Sequence, residues 1–284
     1  MSRNKQRTAA ATDATAATTA PATPTAPATL SYVTPTEFVE LPSRGKFYST
    51  DHPLHGKEVV EMRYMTAKDE DILTSPALLK KGVAIDRLLQ NLVVDKTINA
   101  NNLLIGDKNA MLLAARVSAY GEEYSVNIKC ASCGEVAQHK FDLSVFQANQ
   151  GILPEDSSNV SLTDHGTFVA ELPKTKFSAE FRLLTGEDEA YLQQSSEKLK
   201  KYNLPEASAT NLLKRLVVSV NGVEVPSEIS GFIENMPAQD ARFLRACVQT
   251  VTPNIDMSQE VECSSCGAVT EMAVPFTSEF FWPN

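Results

Sequence analysis

Apolar and polar positions fall into two series that run in the same order. Met62-Arg63-Tyr64-Met65-Thr66-Ala67-Lys68-Asp69-Glu70-Asp71-Ile72-Leu73 aligns without gaps on Phe181-Arg182-Leu183-Leu184-Thr185-Gly186-Glu187-Asp188-Glu189-Ala190-Tyr191-Leu192. Each series predicts a short strand that runs into a helix N-capped by its threonine, with acidic residues at the positive end of the helix dipole. Farther on, Leu88-Leu89-Gln90-Asn91-Leu92-Val93-Val94 matches Leu212-Leu213-Lys214-Arg215-Leu216-Val217-Val218, the inner face of a second helix passing into a strand or turn. A third helix is predicted where Leu112-Leu113-Ala114-Ala115-Arg116-Val117 matches Phe243-Leu244-Arg245-Ala246-Cys247-Val248. Alternating stretches at 123–129 and 257–262 read as strands, as do 136–143 and 269–276.

This order predicts an α+β fold of two tandem pseudo-symmetric repeats, each strand, helices, strand, knuckle, strand. The expected boundaries are repeat 1 over residues 58–147, a joining segment rich in turn residues over 148–167, and repeat 2 over 168–284. Copy two carries an insertion at Val220-Asn221-Gly222-Val223, where the Asn-Gly pair predicts a hairpin turn. Ahead of the repeats, residues 30–57 read as an extended arm. It contains Leu41-Pro42-Ser43-Arg44-Gly45-Lys46-Phe47-Tyr48, a tight turn whose aromatics return to pack or to grip a neighbour. Residues 1–29 end in a tract of Ala, Thr and Pro, broken only by Asp13 between residues 8 and 29. Such a tract buries too little apolar surface to offset its ordering entropy, so a disordered leader is expected.

The strands flank two knuckles, Cys130-Ala131-Ser132-Cys133-Gly134 and Cys263-Ser264-Ser265-Cys266-Gly267. Four of the five cysteines are used in this way. A two-residue spacer lets one turn present two thiolates, and zinc in structural sites takes four tetrahedral ligands. Cys130, Cys133, Cys263 and Cys266 are therefore the expected ligands of one structural zinc per chain shared by the two repeats. Pairing of each knuckle with a second copy of the protein stays open. A redox dithiol is the competing reading, but that chemistry favours a helix N-terminus, and here the flanks are strands. Cys247 reads as a small core or interface residue. His139 lies near a knuckle already supplied with four thiolates, and His52, His55 and His165 read as surface histidines.

Composition narrows the function. A net charge of −9 argues against a general nucleic-acid binder. No apolar run is long enough to span a membrane, and no apolar signal core follows the basic start, so a cytosolic protein is expected. In that compartment paired cysteines serve metals more often than disulfides. The acidic helix starts Asp69-Glu70-Asp71 and Glu187-Asp188-Glu189 are explained by capping rather than by acid–base chemistry. The sequence holds no phosphate-cradling glycine loop, serine elbow or zinc-protease helix, and no catalytic residues are assigned. The aromatic end, Phe276 through Phe280-Phe281-Trp282, either covers the core of the second repeat or anchors in a partner.

Taken in order, Leu41 to Tyr48, Met65 to Leu73, Gly106-Asp107-Lys108-Asn109-Ala110 to Arg116, Tyr120-Gly121-Glu122-Glu123-Tyr124 and the first knuckle resemble the baseplate hub proteins of T-even-like contractile-tailed phages. The resemblance implies a non-enzymatic subunit of the virion tail baseplate, present in the host cytoplasm during assembly. Its implied partners are other baseplate and tail proteins in a homo- or hetero-oligomeric hub, with neither nucleic acid nor membrane. The alternatives are an assembly chaperone absent from the mature virion and a zinc-ribbon regulator acting on nucleic acid.

Overall fold

The first knuckle sits at the tip of a hairpin whose base is held by a long central helix, and the second is presented in the same way. Residues 33–151, 159–201, 208–274 and 278–281 are described by a computed structural model. The Ala/Thr/Pro leader and Trp282 lie outside the described residues. The stretch from Thr34 onward forms one packed unit.

Strand β1 (Thr36–Glu40) pairs antiparallel with β2 (Val59–Arg63). Three helices come next: α1 (Ala67–Thr74), α2 (Pro76–Lys80) and α3 (Ala84–Leu92). Pro76 opens α2 at a position whose N–H would have no helical acceptor. The apolar stripe of α3 buries Ala84, Leu88, Leu89 and Leu92. Helix α4 (Ile105–Tyr120) is buried on several sides, including Ala110, Met111, Leu112, Leu113 and Ala115. Gly121, at φ 82°, ends it and turns the chain into β3 (Glu123–Lys129), which pairs with β4 (Val136–Asp142).

The stretch read as a joining segment contributes ladder partners of its own. Strand β5 (Gln147–Asn149) pairs with the much later β10 (Asn254–Asp256). Strand β6 (Val160–Leu162) opens a four-stranded sheet continued by β7 (Phe168–Glu171), β8 (Ser178–Phe181) and β9 (Val217–Val220). Helices α5 (Gly186–Lys201) and α6 (Ser208–Leu216) lie between β8 and β9, and α7 (Pro226–Asn235) and α8 (Ala238–Val251) come after β9. Strands β11 (Ser258–Glu262) and β12 (Val269–Ala273) carry the second knuckle. The mixture of helices and antiparallel strands is an α+β arrangement, as the element order predicts. The Asn-Gly turn also forms, with Asn221 and Gly222 at φ 50° and 79° and reciprocal amide bonds between Val220 and Val223.

One hydrophobic core runs through both series. Phe47 from the arm packs on Phe168, and Phe168 stacks on Phe181, with ring centroids 5.2 and 5.6 Å apart. Backbone bonds join the series as well: the Ile105 amide donates to the Leu184 carbonyl and the Gly186 amide to that of Leu103. Gly106 lies against the Pro253 carbonyl with no room for a Cβ.

The arm is therefore built into the core. Leu41, Phe47, Tyr48 and Leu54 are buried. Asp107, in the first turn of α4, accepts from the Ser43 amide at 2.9 Å, the Ser43 hydroxyl at 2.6 Å and the Tyr48 hydroxyl at 2.8 Å. Tyr48 also stacks on His52 at 4.3 Å, and His52 Nδ1 accepts from the Leu54 amide. His52 is thus half-buried rather than the surface histidine expected, and burial lowers its pKa.

Candidate metal centre

Each knuckle is a tight turn closed by the same two backbone bonds. The Cys130 amide donates to Glu135 O at 2.8 Å and the Gly134 amide to Cys130 O at 3.0 Å. In the second knuckle Cys263 donates to Ala268 O at 2.9 Å and Gly267 to Cys263 O at 2.8 Å. Gly134 and Gly267 sit at φ 76° and 70°, the left-handed region that glycine enters without a Cβ penalty. The ladders Lys129↔Val136 and Glu262↔Val269 end just before the turns, so both pairs of sulfurs are carried on hydrogen-bonded stems.

The stems bring all four sulfurs together, and the Sγ atoms of Cys130, Cys133, Cys263 and Cys266 lie within 4.8 Å of one another. The cross-knuckle separations are 3.8 Å for Cys130–Cys266 and 3.7 Å for Cys133–Cys263. Four thiolates at the zinc–sulfur distance of about 2.3 Å define a tetrahedron with an edge of roughly 3.8 Å. The cross-knuckle pairs match that edge, and the cluster is compatible with a single metal ion. All five cysteines are free thiols, and Cys247 is buried in α8 away from this cluster.

The local electrostatics prepare one thiolate in advance. Backbone amides of Cys133 and Ser132 lower the Cys130 pKa to about 6. Cys133 receives a lowering bond from the Glu135 amide, yet the sulfurs of Cys266 and Cys130 push it up to about 12. Without a cation, four sulfurs this close cannot all hold negative charge. A divalent ion would supply that charge, and the amides at Ser132, Cys133, Glu135 and Ala268 are already directed at sulfur. The hairpins also touch below the knuckles, where Gln259 Nε2 donates to Asp142 O at 2.5 Å. His139 stands outside the cluster with its ring against Phe141.

The acidic helix starts hold structure. Asp69, fully buried, accepts from Arg63 Nη1 and Nη2 at 2.6 and 2.8 Å, from the amide and hydroxyl of Thr66, and from Asn91 Nδ2. Asp188 accepts from Arg182 at 2.6 and 2.9 Å, from the amide and hydroxyl of Thr185, and from Arg215 Nε. Burial alone would raise both carboxyls; the paired guanidinium and threonine amide outweigh it and hold them below the usual range. The threonine hydroxyls also bond the acids, and at Thr66 the reciprocal capping box with Asp69 that the N-cap reading anticipates is present.

Sequence reading places Asp107 and Asp240 only at the openings of the third helix in each series, and their role as clasps is a finding of the structure. Asp107 clasps the Ser43 turn, and Asp240, in the first turn of α8, clasps the turn after β7 through the amides of Lys174 and Thr175 at 2.8 and 3.0 Å. A signal for the pair is present: Thr36-Glu37-Phe38-Val39-Glu40-Leu41-Pro42 parallels Thr167-Phe168-Val169-Ala170-Glu171-Leu172-Pro173. The aromatic end packs inward, with Phe280 and Phe281 buried. Phe280 lies against Tyr124 of the first series, with ring centroids 5.2 Å apart, rather than only capping the second.

A cleft of about 440 Å³ is lined by Lys108, Leu79, Ile85 and Phe281, among others. The Lys108 ammonium pairs with Asp86 at 2.9 Å and Glu189 at 3.0 Å, which neutralise it. No helix among the described residues is long and apolar enough to cross a membrane.

The described residues thus form an α+β unit with a four-cysteine cluster, and buried Asp69, Asp107, Asp188 and Asp240 are engaged in clasps that hold structure. The chain matches the family described as T4 bacteriophage base plate protein over residues 35–282, and it belongs to that family. Membership makes it a component of a phage baseplate that meets other tail proteins. No curated protein and no solved structure matches the chain.

Proposed function

We propose that this chain is a non-enzymatic subunit of the baseplate hub, made of two copies of one unit fastened by a single zinc ion on Cys130, Cys133, Cys263 and Cys266. The observation that carries this reading is the meeting of four sulfurs, two from each knuckle, at separations that suit tetrahedral zinc. Duplication is supported by pairs at aligned positions, Arg63–Asp69 with Arg182–Asp188 and Asn91 with Arg215, and by Asp107 and Asp240 as third residues of α4 and α8. The units are residues 58–147 and 168–284, and Glu40-Leu41-Pro42, aligned with Glu171-Leu172-Pro173 inside the second, extends the likeness upstream of the first. A bound ion joins hairpins distant in sequence, so the subunit keeps its shape while neighbours assemble on it. Residues 1–29 act as a tether, and the chain passes through the host cytoplasm before entering the virion.

Elemental analysis of the purified chain, with mass spectrometry and electron microscopy of baseplates, tests the proposal. One zinc per chain and density near the tail axis are expected. A folded chain free of transition metal overturns the zinc centre, and density confined to the baseplate periphery overturns the hub assignment.

A further inference from the structure

The aligned hairpins β1–β2 and β7–β8 differ in the cover of their outer edge. In the second, the outer edge of β7 is covered by β6, with Val160↔Ala170, Ser161↔Val169 and Leu162↔Phe168 in register. In the first, β1 and β2 form a sheet by themselves, and no described strand lies beside β1. Bonds from the Tyr64 amide to Pro35 O and from the Leu41 amide to Glu58 O set the antiparallel phase. Residues 35, 37, 39 and 41 therefore point their backbone groups at β2, while Thr36, Phe38 and Glu40 direct theirs outward. None of these three has a backbone partner among the described residues. The Phe38 side chain is 70% exposed and shares its face with Val59, which is 42% exposed. Strands protect bare edges with charged side chains, proline or a bulge; Thr36–Glu40 has no lysine, proline or bulge, and its charges are Glu37 and Glu40.

We propose that the β1 edge receives a strand from a different baseplate protein, which takes the place that β6 takes against β7. The inference rests on the baseplate reading and adds a contact surface to it. The β6–β7 pair is the template: Thr36 to Glu40 aligns with Thr167 to Glu171, so the incoming strand lies antiparallel along 37–39 as Val160-Ser161-Leu162 lies along 168–170. Backbone bonds supply affinity and alternate apolar side chains supply selection beside Phe38. Charge opposes a second copy as occupant. Glu37 and Glu40 lie on β1 and Glu61 is the cross-strand partner of Phe38, while Arg63, opposite Thr36, is committed to Asp69. Another copy would bring the same carboxylates, whereas a strand with neutral or basic flanks would not.

Amide hydrogen exchange on the full chain, alone and in purified baseplates or their assembly intermediates, reads the edge directly. The Phe38 amide is expected to exchange freely in the isolated chain and slowly once assembled, with Val39 slow in both. A Phe38 amide already slow in the isolated chain overturns the proposal: concentration-dependent protection identifies a second copy, and concentration-independent protection the chain's own leader. Phe38→Pro removes an outward donor and spares the bonds to β2. It is expected to keep its melting temperature yet enter particles about tenfold less, a loss of roughly 1.4 kcal/mol of association. Normal incorporation of a folded Phe38→Pro overturns this edge alone, while absence of the wild-type chain from every tail assembly overturns the baseplate reading with it. Should Phe38→Pro melt early, Phe38→Lys gives the same readout through charge.

Discussion

Arg116 Nε donates to the carbonyl of Phe280, 2.6 Å away and 164 positions along the chain. The same guanidinium donates to Gly121 O at 2.9 Å and Glu123 O at 3.1 Å, and it lies by the rings of Tyr120, Tyr124 and Phe280. One fully buried side chain thus ends α4, starts β3 and fixes the C-terminal helical turn Ser278–Phe281. The aligned position in the second series is Cys247, which only fills space. Asymmetry between the halves is concentrated where the tail crosses from one to the other.

Arg116→Met is expected to lose about 3 kcal/mol, because three carbonyls are left without their common donor in a site closed to water. Arg116→Lys should recover little, since an ammonium cannot span three acceptors held in a fork. Urea unfolding of the three proteins measures this. Equal stability of all three would mean that the tail is held by its aromatics alone.

Acid should weaken the fold through Asp69 and Asp188. Both carboxyls are depressed in the folded chain, so each contributes stability in full above its unfolded pKa of about 4 and loses it as pH falls toward the folded value. Melting temperatures of wild type and Asp69→Asn should differ most near neutrality and converge below about pH 4. A gap as wide at pH 3 as at pH 7 would assign the loss to geometry rather than to charge.

Cys263→Ser should loosen a hairpin it does not belong to. On the proposed shared ion, loss of one ligand also frees the β3–β4 knuckle, and limited proteolysis is expected to cut near Cys130 as well as near Cys263. Metal content should fall below one ion per chain in parallel. Cleavage confined to the second knuckle would show that each hairpin stands alone.

Two glycines separate fit from propensity. Gly106→Ala drives a methyl into the Pro253 carbonyl and is expected to cost about 2 kcal/mol or more. Gly231, inside α7 with nothing near its absent Cβ, should gain roughly 0.5–1 kcal/mol as alanine. Thermal melts with opposite shifts for the two variants are the expected result.

Legibility followed distance along the chain. The knuckle turns, the Asn221-Gly222 hairpin, the amphipathic stripe of α3 and the α+β order are properties of neighbouring residues, so residue type and spacing carry them. The parallel series also point to the sulfurs as a set, although their convergence is a tertiary fact. Asp69 and Asp188 look like solvated helix caps in one dimension; their burial depends on arginines six positions upstream folding back over them.

The sequence by itself determined the two knuckles, the strand-to-helix starts and the turn chemistry, because each is settled by backbone preference and contacts within a few residues. Only the tertiary structure decided that the Ser43 turn enters the core through Asp107, that Phe280 crosses to Tyr124 under Arg116, and that β7 has a strand beside it where β1 has none among the described residues. Those outcomes depend on which surfaces meet after long loops close, and residue spacing does not encode which of many apolar faces will pair.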